Sequence, residues 1–154
     1  MQPAVLFVCL GNICRSPLAE AAFRLAAKQA GLDIHIDSAG TGDWHLGKAP
    51  DPRAIATARR HGCDITQYRA RQLCAADFDR FTHIFALDAS NLSVIRKSAP
   101  GGSIAKVALL LDLVAGREGE SVADPYFGDE EGFETTWTDV VQGAQALVER
   151  MQAA

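Results

Sequence analysis

A chain of 154 residues is long enough to bury a core and too short for two ordinary domains, so residues 1–154 are read as one domain. Its composition, 48% hydrophobic and 22% charged, is that of a soluble globular protein, and no run approaches the roughly 18 apolar residues a membrane span needs. The formal net charge of −4 argues against nucleic acid, whose binders carry a basic face.

Residues 4–9, AVLFVC, are a continuous apolar run of strand length, as expected of a strand covered on both faces. Ser16-Pro17 then opens a helix, with Ser as N-cap and Pro at the first helical position, and Gly31 stops it. Residues 34–37 read as a second strand, followed by a glycine-rich loop, SAGTGDWHLGKAP. Asp51-Pro52 starts another helix by the same cap logic, ending near Gly62. Residues 82–87 (THIFAL) form a third strand and 88–98 a helix; 104–111 (IAKVALLL) form a fourth strand and 130–151 a closing helix. This alternation predicts an α/β three-layer sandwich, a four-stranded parallel sheet with helices on both faces and right-handed crossovers. In such a sheet ligands sit beyond the carboxyl ends of the strands, which directs attention to the turn after strand one.

That turn reads Cys9-Leu10-Gly11-Asn12-Ile13-Cys14-Arg15-Ser16 and leads straight into the helix. A loop that wraps into a helix N-terminus points several backbone N–H groups at one spot, where the helix dipole favours an anion. Gly11 permits backbone angles closed to other residues, and Asn12 tolerates a left-handed conformation. Arg15 adds a planar fork able to grip two phosphate oxygens. The same groups favour a thiolate at Cys9, and Ser16 can donate a further hydrogen bond to its sulfur. The pattern is neither the G-x-x-x-x-G-K-[ST] of a nucleotide loop nor the G-x-G-x-x-G of a dinucleotide site. Phosphate handling by an activated thiolate is the chemistry these residue types imply.

The N-terminal MQPAVLFVCLGN lacks the basic region and longer apolar stretch of a signal peptide, so the cytoplasm is the expected location. There, Cys9, Cys14, Cys63 and Cys74 are expected as thiols, with Cys63 and Cys74 buried or half-buried. No C-x-x-C pair is present, so no metal site or cofactor is expected. No Lys or Arg occurs between Glu118 and Glu149, whereas Arg53, Arg59, Arg60, Arg69 and Arg71 crowd an earlier stretch. Both regions read as solvated surface.

The run C-L-G-N-I-C-R-S-P, so near the start of so short a chain, resembles the low-molecular-weight protein tyrosine phosphatase family. Further matching stretches are D-S-A-G-T at 37–41, W-H-x-G at 44–47, A-x-D-P-R-A at 49–54, ARRHG at 58–62, ARQL at 70–73, D-A-S-N-L at 88–92 and D-P-Y at 124–126. The resemblance implies phosphotyrosine hydrolysis through a phosphocysteine on Cys9, with Arg15 binding the phosphoryl oxygens and Asp124 as general acid and then base. It implies that Asn12 and Ser38 brace the phosphate loop, and that Trp44 and Tyr126 flank the substrate ring. Phe127 adjoins that slot, where some relatives carry a second Tyr. Pro125 would hold Asp124 extended, and the nearby Glu118, Glu120, Asp129 and Glu130 would favour its protonated form. Cys14 could form a reversible disulfide with Cys9 under oxidation.

The implied partners are tyrosine-phosphorylated proteins. The W-H-x-G loop is more similar to bacterial members, some of which act opposite tyrosine kinases in exopolysaccharide export. Two alternatives share the motif: an arsenate reductase of the same fold, for which Cys63 and Cys74 are poorly spaced, and a non-catalytic phosphotyrosine-binding module.

Overall fold

The computed structural model describes residues 2–153. The N-terminal apolar run is β1 (Ala4–Cys9), with all six side chains buried. Because side chains alternate across a strand, Val5, Phe7 and Cys9 enter one apolar core and Ala4, Leu6 and Val8 another. Leu18 and Phe23 of α1 (Arg15–Gln29), Ala54 and Ala58 of α2 (Pro52–Arg60) and Phe133 and Trp137 of α5 (Glu130–Ala153) complete the first. Phe78 of the short α3 (Asp77–Arg80), Phe81 and Ile95 of α4 (Ala89–Ser98) complete the second. A strand that feeds two cores cannot alternate polar and apolar residues, which is why its sequence is apolar throughout.

The sheet runs β2 (His35–Gly40), β1, β3 (His83–Ala86), β4 (Lys106–Leu109), all parallel. From β1 the chain goes on to β2 on one side, and from β3 to β4 on the other. The switch point therefore lies between the carboxyl ends of β1 and β3, and a crevice opens there. It is flanked by the loop after Cys9 and the one after Ala86.

Helix ends follow local chemistry. Gly31 takes φ 70° beyond α1, with Leu32 N–H on the Ala27 carbonyl and Gly31 N–H on that of Lys28, a Schellman closure. Asp51 caps α2 through the Arg53 N–H, and Asp88 caps α4 through the Asn91 N–H.

Four expectations need correction. β2 continues to Gly40, three residues beyond 34–37, because the ladder with β1 runs on to Cys9 opposite Gly40. β4 is shorter than 104–111: Ile104 is exposed, and Leu110–Leu113 turn into a 3-10 helix whose Leu110 packs on Gly143 of α5. A Cβ at Gly143 would stand 2.6 Å from Leu110, so α5 can approach only through a glycine. Cys74 is exposed. α1 starts at Arg15 with Cys14 at the N-cap and no capping side chain, so Ser16 lies inside the helix. The two charge-biased regions partly meet at the exposed surface, where Arg60 pairs with Glu130 and Glu134 of α5 at 3.0 and 2.7 Å.

Candidate active site

Asn12 makes three of the hydrogen bonds that hold the loop between β1 and α1. Asn12 has φ 57°, the left-handed angle its residue type tolerates. Its Nδ2 donates to Ser16 Oγ at 2.8 Å and to Ser38 Oγ at 3.0 Å, and its Oδ1 accepts the Arg71 N–H at 3.0 Å. Ser38 in turn donates to Glu20 at 2.7 Å, and Arg24 donates to the same carboxylate at 2.9 Å. Burial pushes the Glu20 carboxyl above its usual range, against the pull of the Ser38 and Arg24 bonds. Glu20 and Arg71 are contributors that motif reading misses; Arg71 is visible only as part of the ARQL match.

Gly11 has a different job from the one expected. The positive φ belongs to Asn12, and a Cβ at Gly11 would instead meet the His45 ring at 3.0 Å. Gly40 is tighter still, since its Cβ would lie 2.8 Å from the Leu10 carbonyl and 3.2 Å from the Asn12 nitrogen. The end of β2 passes directly beneath the loop, and only glycine leaves room. Overpacking of this kind costs about 1–3 kcal/mol, or about 2–12 °C of Tm in a domain of this size. Gly40→Ala is therefore expected to melt that much lower and to lose activity, whereas an unchanged melting curve would show that the loop has slack.

Cys9 ends β1 at the floor of the loop, its Sγ 3.0 Å from Ser16 Oγ. Ser16, fully buried, thus serves the sulfur and Asn12 in place of capping the helix. The unclaimed N–H groups of the first helical turn remain available to an anion. Cys14 is buried beside it, and burial, reinforced by the Asp51 charge, pushes its thiol well above the ordinary range. Cys63 and Cys74 do not line the cleft, which leaves no second pair of thiols there for a relay.

Arg15 is 3% exposed. Its Nη1 donates to Asp88 Oδ2 at 2.6 Å and to the Val122 carbonyl at 3.0 Å, while its Nη2 lies 3.6 Å from Asp124 Oδ2. Asp88 uses its other oxygen to cap α4, so one carboxylate both starts that helix and neutralises the buried cation. From the sequence, Asp88 is only the first residue of a helix. Val122 roots the acidic loop, since its N–H bonds the Leu87 carbonyl at 2.7 Å and its side chain is buried.

Asp124 follows two residues later, held by the Tyr126 N–H on its Oδ1 at 3.0 Å. Pro125 is buried while Asp124 is exposed, so the proline is the anchor and the acid faces the cleft. The expected crowd of acids is engaged elsewhere. Glu118 accepts from Gly116, Glu120 from Arg117, Asp129 from Gly132, and Glu130 pairs with Arg60. The charged neighbour of Asp124 is Arg15.

These groups share one cleft of about 220 Å³, with Cys9, Leu10, Gly11, Ile13, Cys14 and Arg15 at one end and Trp44, His45, Asp124, Tyr126 and Phe127 around the rest. Trp44 is 65% and Phe127 94% exposed, so the aromatic wall forms a mouth more than a closed slot. Trp44 lies across Gly42, where a Cβ would stand 1.8 Å from the indole. Motif reading also misses His45, although it stands within the W-H-x-G match.

Such a cleft takes a tetrahedral anion at its floor and an aromatic group at its mouth, the architecture of a cysteine-dependent phosphatase. The sequence profile described as low molecular weight phosphotyrosine protein phosphatase matches residues 4–154, and the chain belongs to that family of enzymes. A Schizosaccharomyces pombe low molecular weight phosphotyrosine protein phosphatase is 46% identical over 144 residues, 92% of each chain. The crystal structure of an Entamoeba histolytica protein tyrosine phosphatase, with Hepes in its active site, matches with TM-score 0.93 at 30% identity, covering 99% of this chain and 98% of that one. A Drosophila arginine phosphatase structure matches with TM-score 0.91 at 32% identity, covering 99% and 98%.

Proposed function

We propose that the protein hydrolyses phosphotyrosine in protein substrates, with Cys9 as nucleophile, Arg15 and the loop N–H groups as phosphate ligands, and Asp124 as general acid and base. The observation that carries this reading is the facing of Asp124 and the Cys9 loop across Arg15 in a single aromatic-mouthed cleft. Cys9 Sγ attacks phosphorus as the bond to the tyrosine oxygen breaks, giving a phosphocysteine. Asp124 gives its proton to the departing phenolate. Equatorial charge falls on Arg15 Nη2 and on the helix N-terminus, which are already oriented and need no reorganisation. Asp124, now a carboxylate, takes a proton from the water that displaces the sulfur and releases phosphate.

Asp124→Ala tests the acid. It is expected to lower kcat/KM about 10²–10³-fold on phenyl phosphate, whose leaving group is poor, and far less on p-nitrophenyl phosphate. A uniform loss on both would assign the acid elsewhere.

Leu10, Ile13, Trp44 and Tyr126 make the wall apolar and aromatic, which favours an aryl ester over the shorter, more polar phosphoserine. The test is kcat/KM on matched phosphotyrosine, phosphoserine and phosphoarginine peptides. Preference for phosphotyrosine is the expected result, and preference for phosphoarginine would move the substrate class to that of the Drosophila neighbour. A reducing compartment such as the cytoplasm suits four free cysteines. A bacterial tyrosine kinase as partner rests on the W-H-x-G loop alone, and trapping with Asp124→Ala protein tests it.

A further inference from the structure

A general acid on a loop is only as effective as the loop is well placed, and a side chain from another element holds this one. Arg53 lies in the first turn of α2, set there by Asp51 as cap and Pro52 at the first helical position. Its Nη2 donates to the Tyr126 carbonyl at 2.7 Å and its Nη1 to the Gly128 carbonyl at 3.1 Å. Both acceptors belong to the turn that follows Asp124, closed by the Gly128 N–H on the Pro125 carbonyl at 2.8 Å. The guanidinium also lies 4.7 Å over the ring of Phe133, a fully buried side chain, and 5.7 Å over that of Tyr126.

The opposite side of Arg53 faces the phosphate loop. Its Nε and Nη2 meet the Asp51 carboxylate at 3.1 and 3.0 Å, and the Asp51 N–H donates to the Ile13 carbonyl at 2.9 Å. A chain of bonds thus runs from Ile13 through Asp51 and Arg53 to the turn after Asp124, outside the cleft and parallel to the Arg15–Asp124 contact within it. Satisfying two carbonyls and a carboxylate at once takes a planar fork of donors, which an ammonium group cannot reproduce. This gives the D-P-R stretch a role that the reaction itself leaves unassigned: cap, start and tether.

We propose that Arg53 is a positioning residue for the general acid, fixing the turn at 125–128, and Asp124 with it, relative to the phosphate loop. The inference rests on Asp124 being the acid. A surface ion pair with Asp51 that merely caps α2 would instead affect stability and every substrate alike.

Arg53→Met keeps the stem and removes the donors, and kcat/KM is measured across aryl phosphates of rising leaving-group pKa. The expected loss is only a few-fold on p-nitrophenyl phosphate and about 10–100-fold on phenyl phosphate, with Arg53→Lys between Arg53→Met and the parent. Inhibition by inorganic phosphate stays within about threefold. In an Asp124→Ala background, Arg53→Met costs less than about threefold, because the group it positions is gone. If Arg53→Met melts early, Arg53→Lys carries the same comparison. Equal losses on all leaving groups, or an undiminished loss in the Asp124→Ala background, overturn the proposal. Should Asp124→Ala itself leave the leaving-group dependence unchanged, the general-acid reading fails and takes this one with it. Should Asp124→Ala steepen that dependence while Arg53→Met does not, the tether alone is refuted.

Discussion

Cys9→Ser is expected to lose at least about 10⁴-fold in turnover, since a hydroxyl, unlike a thiol, stays protonated in the same nest and forms no phosphocysteine. The fold should survive the change. The buried site already accommodates the Ser16 hydroxyl 3.0 Å from the sulfur, and the replacement is smaller than the thiol. Phosphate binding should survive too, because the ligands proposed for it are the loop N–H groups and Arg15. Inorganic phosphate should therefore still raise the Tm of the Cys9→Ser protein. Residual turnover above a thousandth of the parent's would rule out the covalent route.

Arg15→Lys is expected to cost about 10³–10⁵-fold in kcat/KM, the range known for a guanidinium that stabilises transferring phosphoryl charge. Charge is conserved in this variant, so what it tests is shape. Nη1 is committed to Asp88 and the Val122 carbonyl, and Nη2, 3.6 Å from Asp124, is the arm proposed to meet substrate. A lysine must choose between the two. If its ammonium stays on Asp88, the phosphoryl group loses its partner; if it turns to the phosphoryl group, the half-buried Asp88 carboxylate loses its cation. Inhibition by inorganic phosphate should weaken at least tenfold. Activity of the Arg15→Lys protein within tenfold of the parent's would show that charge alone suffices.

Much of this architecture was legible because the signals are local. AVLFVC reads as a doubly covered strand, and the Asp51-Pro52 and Gly31 signals lie at helix ends the structure shows. The loop from Cys9 to Ser16 announced anion chemistry because a strand-end thiol, a left-handed Asn and an Arg fall within eight residues. Ser16 misled for the same reason. A serine before a proline is a good cap by propensity, yet here its hydroxyl is taken by Cys9 and Asn12, contacts that reach back across the loop. The four-residue α3 and the 3-10 turn after β4 are too short to carry a periodic signal.

Gly40 shows where local reading stops. Nothing around it in sequence distinguishes it from the other glycines of its loop; what constrains it is the backbone of Leu10 to Asn12, some thirty residues away and 2.8 Å overhead. The same holds for Asp88 on Arg15, Glu20 behind Ser38 and Arg53 on the turn after Asp124. Residue order was enough to place Cys9, Arg15 and the strand before them at one turn, because each is encoded by neighbours along the chain. Which groups hold them at working distance depended on parallel pairing of β1 with β2 and β3 and on α2 packing against α5. Those contacts join residues 18 to 107 positions apart, and only a folded core brings them within a hydrogen bond of one another.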